Sequence, residues 1–307
     1  TEVDDLRTDT TGDITLTSLT EDKGDIATIN GFEDVILSTT NISVTDTVSL
    51  SDATTLNGFT AGLVTLNVVE DTVSNIKSID AIDSNDVSMA SAAIKVTDPA
   101  SLADATAING FTDGLVTLNS VEDTYAKIQD IKSIPDGQVD MGAAVVKVSD
   151  NVTKTEVDDL RTDTTGNITL TSLTEDKGDL ATINGFTDVI LSTANITVTD
   201  NVDKSEADTI DAYSNASGVV TLTSITDTVS NITAVNTNAN ISIASAAVTV
   251  TDAASFDNAD AINGFTTGKV TLNSVEDTYA KIQDIKSIPD GEVDMGAAVV
   301  KVSDNVT

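Results

Sequence analysis

Apolar and polar residues alternate in short runs that recur along the whole chain. In Val116-Thr117-Leu118 and Val220-Thr221-Leu222 the apolar side chains point one way and Thr the other. That period of two is the signature of a half-buried strand. Ile94-Lys95-Val96, Val146-Lys147-Val148 and Val248-Thr249-Val250 repeat the order with a different polar residue. The chain also supplies a control, because Leu115 in one copy of the pattern is Lys269 in another. That position faces solvent, so Val116 and Val270 face inward. The pattern places Val116, Leu118, Val146 and Val148 inside, with Thr117 and Lys147 outside.

An aspartate follows each strand pattern: Asp22, Asp46, Asp71, Asp98, Asp123, Asp150, Asp176, Asp200, Asp227, Asp252, Asp277 and Asp304. Successive spacings run from 24 to 27 residues, a period that marks a solenoid or repeat array. After the aspartate the pattern changes. Asp98 and Pro99 read as an N-cap and a first helical residue, with Leu102, Ala105 and Ile108 on one face. Asn109-Gly110-Phe111 then reads as a left-handed glycine C-cap with the Phe folded back. The companion half spaces Tyr125, Ile128, Ile131 and Ile134 by three, which suits a 3₁₀-like or irregular turn as much as an α-helix. It runs into Pro135-Asp136-Gly137, a turn signal.

Three periods are nested. The longest is a duplication of 154 residues: Asp113 to Thr153 and Thr267 to Thr307 differ at three of 41 positions. Within it lies a period of about 52, which splits into two unlike halves of about 26. The organisation read from this is a first unit at 1–154 and a second, near-identical unit at 155–307, forming one continuous solenoid. The fold class is mainly β: a parallel β-solenoid of about twelve coils with short helical turns. The alternative is a string of tandem immunoglobulin-like sandwiches, which would show antiparallel hairpins.

Composition narrows the function. Fifty Asp and Glu against 15 Lys and Arg give a formal net charge of −35. Such a surface repels nucleic acid and anionic lipid and attracts divalent cations. Cys and His are both absent, which excludes a disulfide framework, thiol chemistry and the commonest general base. Nine aromatics and no Trp argue for thin repeated layers over one bulky core. No apolar run approaches the roughly 18 residues of a membrane helix.

The recurring Val-Thr-Asp, the Ala-Ile-Asn-Gly-Phe segment at 107–111 and Val-Thr-Leu-Asn-Ser-Val-Glu-Asp-Thr at 116–124 resemble repeats of very large, acidic bacterial surface proteins. Some of these are cyanobacterial or marine and serve as S-layers, fibres or adhesins. The resemblance implies an extracellular or cell-surface location in a bacterium. The glycine-rich nonapeptides of haemolysin-type calcium-binding repeats are missing.

Candidate chemistry rests on carboxylates. The twelve aspartates could form a metal-binding ladder, against the reading that each caps its own helix. A second cation candidate is the alternating run Asp290, Glu292 and Asp294, paralleled by Asp136, Gln138 and Asp140. Alternate strand residues share a face, so their oxygens could converge on calcium. Thr pairs such as Thr15 and Thr17, Thr169 and Thr171, or Thr221 and Thr223 are arranged like an ice-binding face. No unique loop interrupts the repeat, so the chain is not read as an enzyme. The expectation is a structural segment of an extracellular filament, surface layer or stalk. Its partners are other copies of itself, bound end to end through exposed coils carrying Leu6 and Val306. The alternative is an adhesive or ligand-binding array for carbohydrate, a surface or ice.

Overall fold

The structure is a computed structural model that describes residues 2–135, 138–215, 217–288 and 292–305. It is mainly β, a parallel solenoid in which each strand leads into a short helix and then into the next strand. By packing, the chain divides into two units, one of Thr1–Lys147 with Asp163–Gly166, the other of Val148–Thr162 with Asn167–Thr307.

In the first unit the long strands are Asn41–Val48, Val64–Asp71, Ala93–Ala100 and Val116–Asp123. They pair in parallel, with Ile42 beside Val64, Val69 beside Ile94 and Ile94 beside Val116. In the second unit Ile168–Glu175, Asn195–Val202, Val220–Asp227, Ala247–Ala254 and Val270–Asp277 do the same. Parallel pairing demands a crossover between strands, and here each crossover is a helix of about two turns. Antiparallel hairpins, which a sandwich string needs, do not occur among the described strand pairs. A two-residue strand recurs about every 52 residues, as at Val35–Ile36, Val87–Ser88 and Ile241–Ser242, in only one half of the repeat, so the halves differ.

The core follows the alternation. Val116, Leu118, Val146 and Val148 are at most 1% exposed, while Thr117 is half-buried and Lys147 exposed. Leu115 is 46% exposed, in keeping with Lys269 at the equivalent place. In the first unit helix Glu2–Asp9 buries Val3 alone, and each later helix contributes one buried pair spaced by three: Ile26 and Ile29, Ala53 and Leu56, Ile76 and Ile79, Ala105 and Ile108, Ile128 and Ile131. An eight-residue helix has room for only one such pair. The segment Tyr125–Lys132 is α-helical, because Ile128 and Ile131 alone enter the core and the strict spacing of three is never extended.

Two local expectations are corrected. Pro99 is not the first residue of a helix; it lies in strand Ala93–Ala100, opposite Ser120, where the register shifts after Val96. A bulge leaves a residue outside the ladder, so Pro is tolerated there. The helix begins at Leu102, with Ser101 as N-cap and Asp104 completing a capping box. The glycines after the helices are not left-handed: Gly58, Gly110 and Gly264 have φ of −69°, −72° and −69°. The last turn tightens instead, with Phe111 N–H donating to Ile108 O at 3.0 Å.

Candidate functional site

The acidic series falls into two registers. In Val-Thr-Asp the aspartate belongs to a β-bulge, since register shifts occur between Val44 and Thr47, Val96 and Pro99, Val198 and Asn201, and Val250 and Ala253. The bulge turns the carboxylate out of the ladder toward the helix of the preceding coil. Asp46 accepts from Lys23 N–H at 2.9 Å and Asp98 from Val73 N–H at 2.7 Å. Asp200 accepts from Lys177 N–H at 3.0 Å, Asp252 from Val229 N–H at 2.8 Å and Asp304 from Tyr279 N–H at 2.8 Å.

In the second register the aspartate ends its strand and bridges two coils. Asp71 Oδ2 accepts from Leu50 N–H at 2.9 Å, at the start of the preceding helix, while Oδ1 accepts from its neighbour Thr72 N–H at 2.8 Å. Asp123 does the same with Leu102 at 3.1 Å and Thr124 at 2.9 Å. Asp227 takes Lys204 and Thr228 N–H, and Asp277 takes Phe256 and Thr278 N–H. Lys154 N–H is held by Glu175. Only Asp22 and Asp176 cap their own helices, standing where Thr72 stands elsewhere. The expectation that every aspartate caps the helix following it is therefore corrected. Most of them cap the helix one coil back, where the first N–H groups lack intrahelical partners and the dipole is positive.

Electrostatics agree with this use. Burial pushes the Asp71, Asp123 and Asp227 carboxyls up, but the donated backbone N–H bonds outweigh it and hold all three below the usual carboxylate range. Asn75 adds a bond to Asp71, Lys127 to Asp123 and Asn231 to Asp227. Asp277 is lowered mainly by the Phe256 and Thr278 N–H groups.

Of the calcium candidates, Asp136 and Asp290 lie outside the described residues. Gln138 accepts from Asn109 Nδ2 at 3.2 Å and Glu292 from Asn263 Nδ2 at 3.1 Å. Asp140 and Asp294 each fold back on a glycine, accepting from Gly142 and Gly296 N–H at 2.8 and 2.7 Å. Asp294 also pairs with Lys269, and that hydrogen bond is the main reason its carboxyl lies below the ordinary range. Glu292 and Asp294 thus turn to different partners. Among the described residues no group of three or more carboxylates is placed to hold a metal ion. Two of the outward threonines are engaged: Thr171 and Thr223 Oγ1 each donate at 2.8 Å to carbonyls of the preceding coil, at Val148 and Val198.

A second coil-to-coil device was missed in the sequence. Two residues before a strand stands a glycine whose added Cβ would meet the preceding coil's backbone. For Gly62, Gly114, Gly166 and Gly268 the nearest atom is the carbonyl oxygen of Thr40, Ala92, Ala144 and Ala246, at 2.4, 2.3, 2.2 and 2.2 Å. The same carbonyls accept from Thr60, Thr112, Thr164 and Thr266 Oγ1 at 2.6–2.7 Å. Each Thr oxygen in turn accepts the glycine N–H. The recurrent Thr-x-Gly was visible in the sequence, but its meaning depends on a carbonyl 20 residues upstream.

Open grooves lie between successive helices, such as that lined by Lys177, Glu206, Thr209 and Tyr213. No helix among the described residues is long and apolar enough to cross a membrane. No protein-family model, curated protein or solved structure matches this chain.

Proposed function

We propose that the chain is a structural repeat segment of an extracellular filament, surface layer or stalk in a bacterium, self-associating end to end. The supporting observation is the commitment of its polar groups to neighbouring coils. Carboxylates cap the helix of the preceding coil, Thr hydroxyls clip its carbonyls, and lysines such as Lys95 and Lys147 pair with Glu70 and Glu122 one coil away. Chemistry spent in this way builds length. The extracellular setting rests on the likeness to acidic bacterial surface repeats and on the charge of −35, which keeps an array soluble in salt-rich media. Divalent cations belong to the proposal as counterions of that surface.

Sedimentation velocity and electron microscopy of the 307-residue chain over a wide concentration range test the reading. Linear particles that lengthen with concentration are expected. A chain that stays monomeric while binding a soluble sugar saturably would favour an adhesive array instead.

A further inference from the structure

We propose that the groove between helices Leu102–Asn109 and Tyr125–Lys132 is a binding site for a small uncharged aromatic molecule, held under the ammonium of Lys127. The groove is lined by Leu102, Ala103, Thr106, Ala107, Asp123 and Lys127 and has a volume of about 560 Å³. That lies within the range of small-molecule sites. Its lining is mostly methyl and methylene groups, with one ammonium and one carboxylate.

The chain itself shows what fits there. One 154-residue repeat later, Leu102 becomes Phe256, Ala103 becomes Asp257 and Lys127 becomes Lys281. The backbone is held alike in both places, since Leu102 N–H donates to Asp123 at 3.1 Å and Phe256 N–H to Asp277 at 3.0 Å. The two side chains therefore start from the same point. In the second unit the Phe256 ring lies under Lys281, whose Nζ is 4.4 Å from the ring centroid. The Asp257 carboxylate, 3.3 Å from that Nζ, helps to hold it there. In the first unit the ring is absent, and Lys127 Nζ lies 3.1 Å from Asp123 Oδ1.

A ring and an ammonium attract through the negative face of the ring, more strongly as water is excluded. A flat ring entering from solvent would cover the apolar lining at Leu102, Ala103 and Ala107 and draw Lys127 over its face. A ligand would then stand where the Phe256 side chain stands one repeat on. Closed apolar cavities of about 150 Å³ already take up benzene, so the groove has room for one or two rings. The net charge of −35 disfavours an anionic ligand, and the Lys127 ammonium disfavours a cationic one.

Indole is the probe, with cyclohexanol as an aliphatic control. In an NMR titration indole should shift the Leu102, Ala107 and Lys127 amides saturably and leave those of Phe256, Ala261 and Lys281 in place. Cyclohexanol, which offers no π face, should bind at least threefold more weakly. Leu102→Phe should weaken indole binding at least tenfold without lowering the thermal midpoint. Phe256→Leu should open a second site, so that Ala261 and Lys281 now shift. No saturable shift, equal shifts at both grooves of the native chain, or equal binding of cyclohexanol would overturn the proposal. So would binding unchanged by Leu102→Phe. Should that variant fail to fold, Phe256→Leu decides, and the absence of new shifts at Ala261 and Lys281 would overturn it.

Discussion

Asp71 holds Leu50 N–H at 2.9 Å across the step from one coil to the one before it, and its other oxygen holds Thr72 N–H in its own coil. A single carboxylate thus satisfies the first turn of one helix while fixing the strand end that launches the next. The charge suits that place twice over. It faces the positive end of a helix dipole, and it accepts bonds from groups that would otherwise be unpaired.

Removing one such bridge should cost more than a surface charge does. Asp123→Ala leaves Leu102 and Thr124 N–H without their acceptor. The expected loss is about 1–3 kcal/mol, the range for a cap or for hydrogen bonds to a charged group. Urea unfolding of wild type and variant measures it. Asp5→Ala, in the exposed first turn of Glu2–Asp9, should stay within about 0.5 kcal/mol.

Two glycines that look alike in the sequence should respond differently to a methyl group. At Gly114 a Cβ would lie 2.3 Å from Ala92 O, and at Gly110 it would lie 3.2 Å from Ala107 O. Gly114→Ala should therefore lose roughly 2–4 kcal/mol, the scale of overpacking against rigid backbone. Gly110→Ala should be near neutral, since Ala favours the helical conformation found there. Denaturant midpoints of the two variants decide it.

The strands and their inner faces were legible, because period two fixes sidedness and the duplication tests it, as with Leu115 and Lys269. The caps were legible only as a residue type. Asp98 before Pro99 imitates a helix start, and the bulge that keeps Pro99 in the strand leaves no local mark. The partner of Asp98 is Val73, 25 residues earlier, a relation set by stacking and invisible in any short window. The calcium candidates were drawn from alternation alone, which could not show that Lys269 takes Asp294 while Asn263 takes Glu292.

Acid should loosen the array in a defined direction. The lowered carboxyls of Asp71, Asp123 and Asp227 contribute stability that is complete above the unfolded value of about 3.9. That stability is lost as the pH falls through the folded values, because the unfolded chain takes up protons first. Asp80 runs the other way, since burial raises it and acid relieves its cost. Relief of self-repulsion acts in the same direction as Asp80. The informative quantity is thus the difference between wild type and an Asp71→Asn, Asp123→Asn, Asp227→Asn triple variant. Unfolding midpoints from pH 6 to pH 2 should converge at the acid end.

With a net charge of −35, low ionic strength should lower the thermal midpoint. Screening reaches only beyond about 30 Å at 0.01 M salt, against about 3 Å at 1 M. Millimolar Ca²⁺ or Mg²⁺ should raise the midpoint relative to chelator in dilute buffer, and the gap should shrink in concentrated NaCl. Equal midpoints in dilute buffer would remove any structural role for divalent ions.

The most direct test of the bridging carboxylates is amide hydrogen exchange at Leu50 in wild type and Asp71→Ala. The bond from Leu50 N–H to Asp71 predicts that exchange at Leu50, 21 residues away in sequence, speeds up at least tenfold, together with Thr72. Loss of protection at Thr72 with Leu50 unchanged would contradict the account, because the carboxylate would then be an ordinary cap within one coil.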